Sequence, residues 1–131
     1  MSLNDTSAER AVLSGICQYA DDVYLEISDI VDVDCFSVDS NKLIFKCLQQ
    51  LCEDNASSID VPSILSQAKE LGYSDFLSNK EELQHLQAIL NFPVNVENVK
   101  KFATKICKLK IARLLQEQLK DAQKNILGIS G

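Results

Sequence analysis

Hydrophobic residues recur every three or four positions through most of the chain, which is the spacing of amphipathic helices. Five such stretches precede residue 94. The pattern therefore predicts a bundle of about five helices over residues 1–94. Their inward positions are Val12, Leu13, Ile16 and Tyr19; Val23, Ile27 and Ile30; Leu43, Ile44, Cys47, Leu48 and Leu51; Ile64, Leu65, Ala68 and Leu71; and Leu83, Leu86, Ile89 and Leu90.

Residues that commonly cap helices stand before each stretch. Pro62 suits a first helical turn and Gly72 a helix end, while Pro93 closes the fifth stretch. The alternating residues 31–34 are interpreted as a connector, because so short a strand has no evident mate, and residues 53–58 as a polar loop. The predicted caps are Ser7, Asp21 with Asp22, Asp39 or Ser40, Asp60, and Ser78 or Asn79.

The last segment, residues 95–131, has a different pattern. From Asn95 to Ile126 it contains no glycine or proline, and its apolar stripe changes phase part-way. A helix of about 32 residues is about 48 Å long, whereas a globule of this size has a radius of gyration of ~14 Å. An unbroken helix must therefore protrude; the alternative is a break near Lys110 that folds the helix back. The first stripe is Val99, Phe102, Ala103, Ile106 and Leu109, and the second is Ile111, Leu115, Leu119, Ala122 and Ile126.

Composition places the chain among ordinary globular domains. It has 131 residues, of which 46% are hydrophobic and 24% charged, enough to form a core without a disulfide or metal. No apolar run approaches the roughly 18 residues of a membrane span. The five cysteines, 17, 35, 47, 52 and 107, follow no motif, and no secretory signal precedes them. We therefore expect reduced, buried thiols in a cytosol.

Charge is unevenly distributed. Residues 1–99 hold five basic and seventeen acidic groups, and residues 100–131 hold eight basic and two acidic groups. An acidic body argues against the whole domain clamping DNA. The basic end has three interpretations: a contact with nucleic acid, a contact with an acidic partner, or the solvated face of a helix.

Motifs for catalysis are missing from the sequence. There is no P-loop, no nucleophile elbow and no His-Glu-x-x-His. The single histidine, His85, is interpreted as a partly buried surface residue, and the acidic pair Glu81–Glu82 as a favourable start for a helix. The sequence thus predicts a binding or assembly module with no catalytic, cofactor or metal residues.

Several short motifs occur in a fixed order that resembles the N-terminal domain of DnaB-type replicative helicases. The resemblance covers about residues 8–128. Two positions depart from the family pattern: Ser14 replaces a usual glycine, and Asn41-Lys42 replaces a His-x or His-Arg step. These departures suggest a divergent member, of the kind a phage encodes. The matching motifs are Glu9–Ile16, Asp34–Phe36, Ile44-Phe45, Ile59-Asp60, Leu71-Gly72, Leu83 with Leu86, and Asn95–Lys105.

The resemblance implies an all-α fold, with a small orthogonal helical bundle followed by the first arm of a helical hairpin. In this family hairpins pair between subunits and form an N-terminal collar on the hexameric helicase ring, which receives primase and the helicase loader. Carried over, the last helix packs on its own bundle through Val99, Phe102, Ile106 and Leu109. Beyond that point it meets another subunit through Ile111, Leu115, Leu119, Ala122 and Ile126.

The resemblance also implies what this fragment lacks. ATP and Mg would bind the separate domain of an ATP-dependent 5′–3′ DNA helicase, which also makes the main DNA contact, so no cofactor is expected here. We expect a piece of a longer helicase or a stand-alone relative, a cytoplasmic location in a bacterial cell or phage-infected bacterium, and a partial cloning scar at residues 1–3.

Two other functions stay open. One is a stand-alone helical adaptor or replication regulator that binds a partner through the exposed last helix. The other is a nucleic-acid binder with a salt-sensitive affinity. Its contacts would be Lys100, Lys101, Lys105, Lys108, Lys110, Arg113, Lys120 and Lys124.

Overall fold

The computed structural model describes residues 3–55 and 59–130, with side chains up to residue 126. Over these ranges the chain forms seven α-helices, one 3₁₀ turn and no strand, which confirms the all-α fold. The expected cloning scar at residues 1 and 2, the loop residues 56–58 and residue 131 lie outside the described residues. The helices are α1 (Thr6–Tyr19), α2 (Asp21–Ile27), α3 (Asp39–Glu53), α4 (Val61–Glu70), α5 (Ser74–Leu77), α6 (Lys80–Asn91) and α7 (Val96–Ser130), and the 3₁₀ turn is Val33–Cys35.

Helix α1 lies at the centre of the bundle. It packs against α2, α3, α6 and α7, and its residues Val12, Leu13 and Ile16 are completely buried. Around it, Phe36 and Phe45 form a tilted aromatic pair with ring centroids 4.9 Å apart. One continuous apolar core therefore joins the helices, as close packing of amphipathic faces requires.

Two helix starts are capped as the sequence predicts. Asp60 accepts a hydrogen bond from the Ser63 backbone N–H at 2.9 Å, and Asn79 accepts one from Glu81 at 2.8 Å. Gly72, just past the end of α4, has φ +86°, the left-handed conformation that favours glycine there. These signals are local, so they can be recognised from short spacings alone.

Three predicted caps are wrong. Helix α1 is capped by Asp5, whose carboxylate accepts from the Ala8 N–H at 3.0 Å, and not by Ser7. Asp21 and Asp22 lie inside the first turn of α2, which follows Ala20 at φ 48°. Helix α3 starts after Val38, which offers no capping side chain, so neither Asp39 nor Ser40 is its cap.

A short helix was not predicted from the sequence. Helix α5 is a single turn, Ser74–Leu77, with Leu77 buried, so six α-helices rather than about five precede the long one. The fifth predicted stretch corresponds to α6. The connector predicted at 31–34 contains the 3₁₀ turn, in which the Asp32 carboxylate accepts from the Asp34 N–H at 3.0 Å.

Helix α7 is continuous from Val96 to Ser130. The predicted alternative of a break near Lys110 is therefore wrong. Its 35 residues span about 52 Å, and its side chains from Leu114 to Ile126 are exposed beyond the bundle.

Candidate interaction surface on the long helix

The first half of α7 belongs to the core. Val99, Ala103 and Ile106 are buried, and Phe102 packs against the same core from a half-buried position. Leu109 is half-buried at the edge of the bundle. Because α7 passes so close to α1, a Cβ added at Gly15 would lie 2.6 Å from a methyl carbon of Val99. The absence of a side chain at this position is what lets the two helices approach.

The apolar stripe of α7 changes sides where the helix leaves the bundle. At 3.6 residues per turn, the stripe that begins at Ile111 lies roughly half a turn around the helix from Val99 and Ile106. Leu115 is 55% exposed, Leu119 65% and Ile126 64%. In the distal half of α7 the apolar side chains therefore form a solvent-exposed face on the side of the helix opposite Val99 and Ile106. The charged side chains lie on the other side of the helix. We call Ile111, Leu115, Leu119, Ala122 and Ile126 the arm stripe.

Two ion pairs fix the base of the arm. Lys105 pairs with Asp5, and the Lys110 Nζ lies 2.6 Å from the Asp32 Oδ2. The hydrogen bond from Lys105, assisted by the Ala8 N–H, lowers the pKa of Asp5. Partial burial is the largest single effect on Asp32 and opposes its ionisation. The hydrogen bonds from Lys110, Cys35 and the Asp34 N–H, with the charge of Lys110, together outweigh it, so the pKa of Asp32 is also lowered. Both carboxylates are therefore ionised and paired at neutral pH.

Arg113 adds a third attachment. Its guanidinium donates to the Leu3 carbonyl at 2.8 Å, the Asp34 carbonyl at 3.1 Å and the Cys35 carbonyl at 3.3 Å. A planar fork of donors suits such convergent carbonyl groups. The arm thus leaves the bundle from a fixed direction set by the N-terminal segment and the 3₁₀ turn.

The start of α7 is held by polar contacts from α1. The Ser14 hydroxyl and the Gln18 amide both donate to the Phe92 carbonyl at 2.5 Å, and the Tyr19 hydroxyl donates to the Val94 carbonyl at 3.0 Å. Ser14 is one of the departures from the family pattern. Its hydroxyl here satisfies a backbone carbonyl in the segment that connects α6 to α7.

A buried polar network links α1, α3 and α6, and the sequence did not reveal it. The Glu9 carboxylate accepts from the Ser37 N–H at 3.1 Å, the Ser37 hydroxyl at 2.6 Å and the Asn41 amide at 3.1 Å. The Asn41 oxygen lies 2.7 Å from the His85 Nε2. The Asn41 NH₂ group donates to Glu9, so the Asn41 oxygen acts as the acceptor towards His85. The hydrogen atom of the neutral His85 ring therefore lies on Nε2.

The groups of this network hold one another within the fold. Burial lowers the pKa of His85, so the ring is neutral at neutral pH, and every polar group just described has a partner inside the fold. Glu9 also satisfies the backbone of Ser37 directly before α3.

The described residues contain no group of three or more His, Cys, Asp or Glu side chains placed to hold a metal ion. Burial raises the pKa of the Cys47 thiol to about 11 and that of Cys17 to about 12, so neither is a thiolate nucleophile at neutral pH. Nor is any described helix both long enough and apolar enough to span a bilayer.

The eight cations of the nucleic-acid hypothesis do not form one free surface. Lys105, Lys110 and Arg113 are engaged with the bundle. Of the others, Lys120 and Lys124 lie on the far side of the arm from Lys100, Lys101 and Lys108. A phosphate backbone would therefore meet two separated groups of cations.

The fold defines a class: a helical bundle with a protruding helical arm and without a recognisable catalytic centre in its described part. The chain belongs to the family described as DnaB-like helicase N terminal domain, whose model matches residues 1–108. That domain is non-catalytic, and membership confirms the resemblance seen in the sequence.

A solved structure agrees with this assignment at the level of fold. The N-terminal domain of DnaB helicase from Mycobacterium tuberculosis is 13% identical in sequence, with a TM-score of 0.77, over 96% of this chain and 88% of that one. No curated protein matches the sequence.

Proposed function

We propose that this domain is the N-terminal collar of a replicative hexameric DNA helicase and that the arm stripe joins it to neighbouring subunits. The observation that carries the proposal is the reversal of the apolar face of α7. Between Val99 and Ile106 the apolar stripe of α7 faces its own bundle, whereas Ile111, Leu115, Leu119 and Ile126 face solvent. A contiguous apolar face of this kind marks a protein–protein contact.

The residues beside the arm stripe favour contact with another copy. Gln116 and Gln123 lie along one edge of the stripe, and Gln118 and Asn125 lie along the other. These side chains are exposed and uncharged. Two arms that pack stripe to stripe therefore bring no like charges together at their edges, whereas charged flanks would oppose self-association.

The wider role follows from the family. We propose that the collar assembles the helicase ring during DNA replication and receives primase or the helicase loader. ATP, Mg and the principal DNA contact belong to the helicase domain of the parent protein, and the location is the cytoplasm of a bacterial cell or phage-infected bacterium. This domain performs no catalysis and needs no cofactor.

The test is the solution mass of the chain, measured by light scattering from micromolar to near-millimolar concentration. We expect a concentration-dependent dimer or larger species that Leu115→Glu/Leu119→Glu abolishes. The matched control, Lys120→Gln/Lys124→Gln, lowers the net charge by the same two units on the opposite face of the arm and should still associate.

Two results would contradict the proposal. Association that survives the stripe variant would place the contact elsewhere. A strict monomer at every concentration would instead favour the adaptor function, in which the arm binds a different protein.

A further inference from the structure

The outer face of α7 carries a second kind of surface next to the arm stripe. Lys100, Lys101 and Lys108 are exposed and lie on the same side of the helix as Ile111 and Leu115. None of the three lysines is in an ion pair within the described part of the chain, where the two α7 ion pairs use Lys105 and Lys110. The exposed Glu97 lies at the start of the same face, so this helix face runs from mostly basic to apolar along its length.

Helix α2 and the turn after it form an acidic surface with one exposed apolar side chain. Leu25 is 73% exposed, the largest exposed fraction among the large hydrophobic side chains of the described residues. Around it stand the exposed carboxylates of Asp22, Glu26 and Asp29. A single apolar side chain that projects from an acidic surface fits a face that combines lysines with the start of an apolar stripe.

We propose that the α2 face of one copy, Leu25 with Asp22, Glu26 and Asp29, docks on the outer face of α7 of a second copy, at Lys100, Lys101, Lys108 and Ile111. The inference rests on the proposed self-association but uses residues outside the centre of the arm stripe. It assigns the acidic bundle and the basic helix of this chain to opposite sides of one contact.

Charge complementarity favours a second copy as the occupant. The α2 face carries three carboxylates, and the α7 face carries three ammonium groups beside the single carboxylate of Glu97. No ion pair joins the two faces within one described chain. Each copy offers both faces, so the contact forms either reciprocally in a two-fold dimer or head to tail around a ring. Opposite charges also orient the encounter and disfavour a shifted arrangement.

A charge-exchange experiment tests this contact. One variant, Glu26→Lys/Asp29→Lys, makes the α2 face basic, and a second, Lys101→Glu/Lys108→Glu, makes the α7 face acidic. Each variant alone brings like charges together and should self-associate about tenfold more weakly than the native chain. An equimolar mixture restores opposite charges in both contacts and should recover the native affinity within about threefold.

Three further measurements complete the experiment. Leu25→Ser should weaken association without changing charge. Lys69→Glu/Lys80→Glu, with exposed lysines on α4 and α6, should leave association unchanged. Native association should also weaken as salt rises, because exposed charge pairs are screened. Circular dichroism verifies that every variant is folded before its mass is measured.

The outcomes separate this inference from the proposed function. If either charge variant associates as the native chain does, or if the mixture stays as weak as its components, the α2–α7 contact is wrong. If the stripe variant still associates while the charge variants and their mixture behave as expected, the docking inference stands and the stripe contact fails. A native chain that is monomeric at every concentration and salt overturns both.

Discussion

The contact between Gly15 and Val99 allows a quantitative prediction. A Cβ at residue 15 would lie 2.6 Å and 2.9 Å from the two methyl carbons of Val99, and Val99 is buried. The valine cannot turn away easily, since β-branched side chains hold one rotamer in helices. Gly15→Ala must therefore push α1 and α7 apart.

Two opposing effects set the change in the free energy of unfolding that Gly15→Ala causes. Overpacking a well-packed core costs about 1–3 kcal/mol, and the higher helix propensity of alanine returns about 1 kcal/mol. Because the clash is with two methyl groups on a rigid side chain, we expect the upper part of that cost. Gly15→Ala should lower the free energy of unfolding by about 1–2 kcal/mol, or the Tm by roughly 3–8 °C.

Urea unfolding followed by circular dichroism measures this change. Val99→Ala alone removes two buried methyl groups and should cost about 1–3 kcal/mol. In the double variant the new methyl group occupies the vacated space, so the combined loss should be smaller than the sum by about 1 kcal/mol. Strict additivity, or a Gly15→Ala chain as stable as the native one, would refute the close-approach explanation.

Two further substitutions probe polar contacts of the bundle. The pKa of Asp5 is lowered from its ordinary value of 3.8, so its carboxylate stabilises the fold above about pH 4, and that contribution is lost as the pH falls through the folded-state pKa. Asp5→Ala should therefore cost about 1 kcal/mol at neutral pH, and the difference from the native chain should shrink in urea titrations below about pH 4. Glu9→Ala strands the buried amide donor of Asn41 and two half-buried donors of Ser37 and should cost about 3 kcal/mol, whereas the exposed Glu70→Ala should change urea stability little. A loss at Glu9 no larger than that at Glu70 would contradict the role of the buried network.

Structural features that depend on residues close together in the chain could be predicted from the sequence. Asp60 and Asn79 cap helices through bonds to backbone groups two or three residues away, and the apolar period identified the core-facing positions of α3 and α6. Helix α5 escaped prediction because a single turn is too short to show a period. Ser7 and Asp5 are both plausible caps by type, and only the hydrogen bond to Ala8 separates them.

Features that depend on distant partners could not be predicted from spacing. The segment directly before α3 is held by Glu9, which lies 28 residues before Ser37 and accepts a hydrogen bond from its backbone N–H. The sequence did identify both stripes of α7 and their change of phase. Spacing does not reveal the contacts of Lys105, Lys110 and Arg113 that hold the base of the arm, because these contacts join residues about 80 to 110 positions apart.

The attachments at the base of the arm make α7 a lever. About 17 residues extend beyond Arg113, a length of about 25 Å, and neither proline nor glycine interrupts them before Gly128 near the tip. A force applied at the tip therefore produces torque at a fulcrum formed by Leu3, Asp5, Asp32 and Asp34. Strain from a neighbouring subunit would reach the N-terminal segment and the 3₁₀ turn before it reached the aromatic pair in the core.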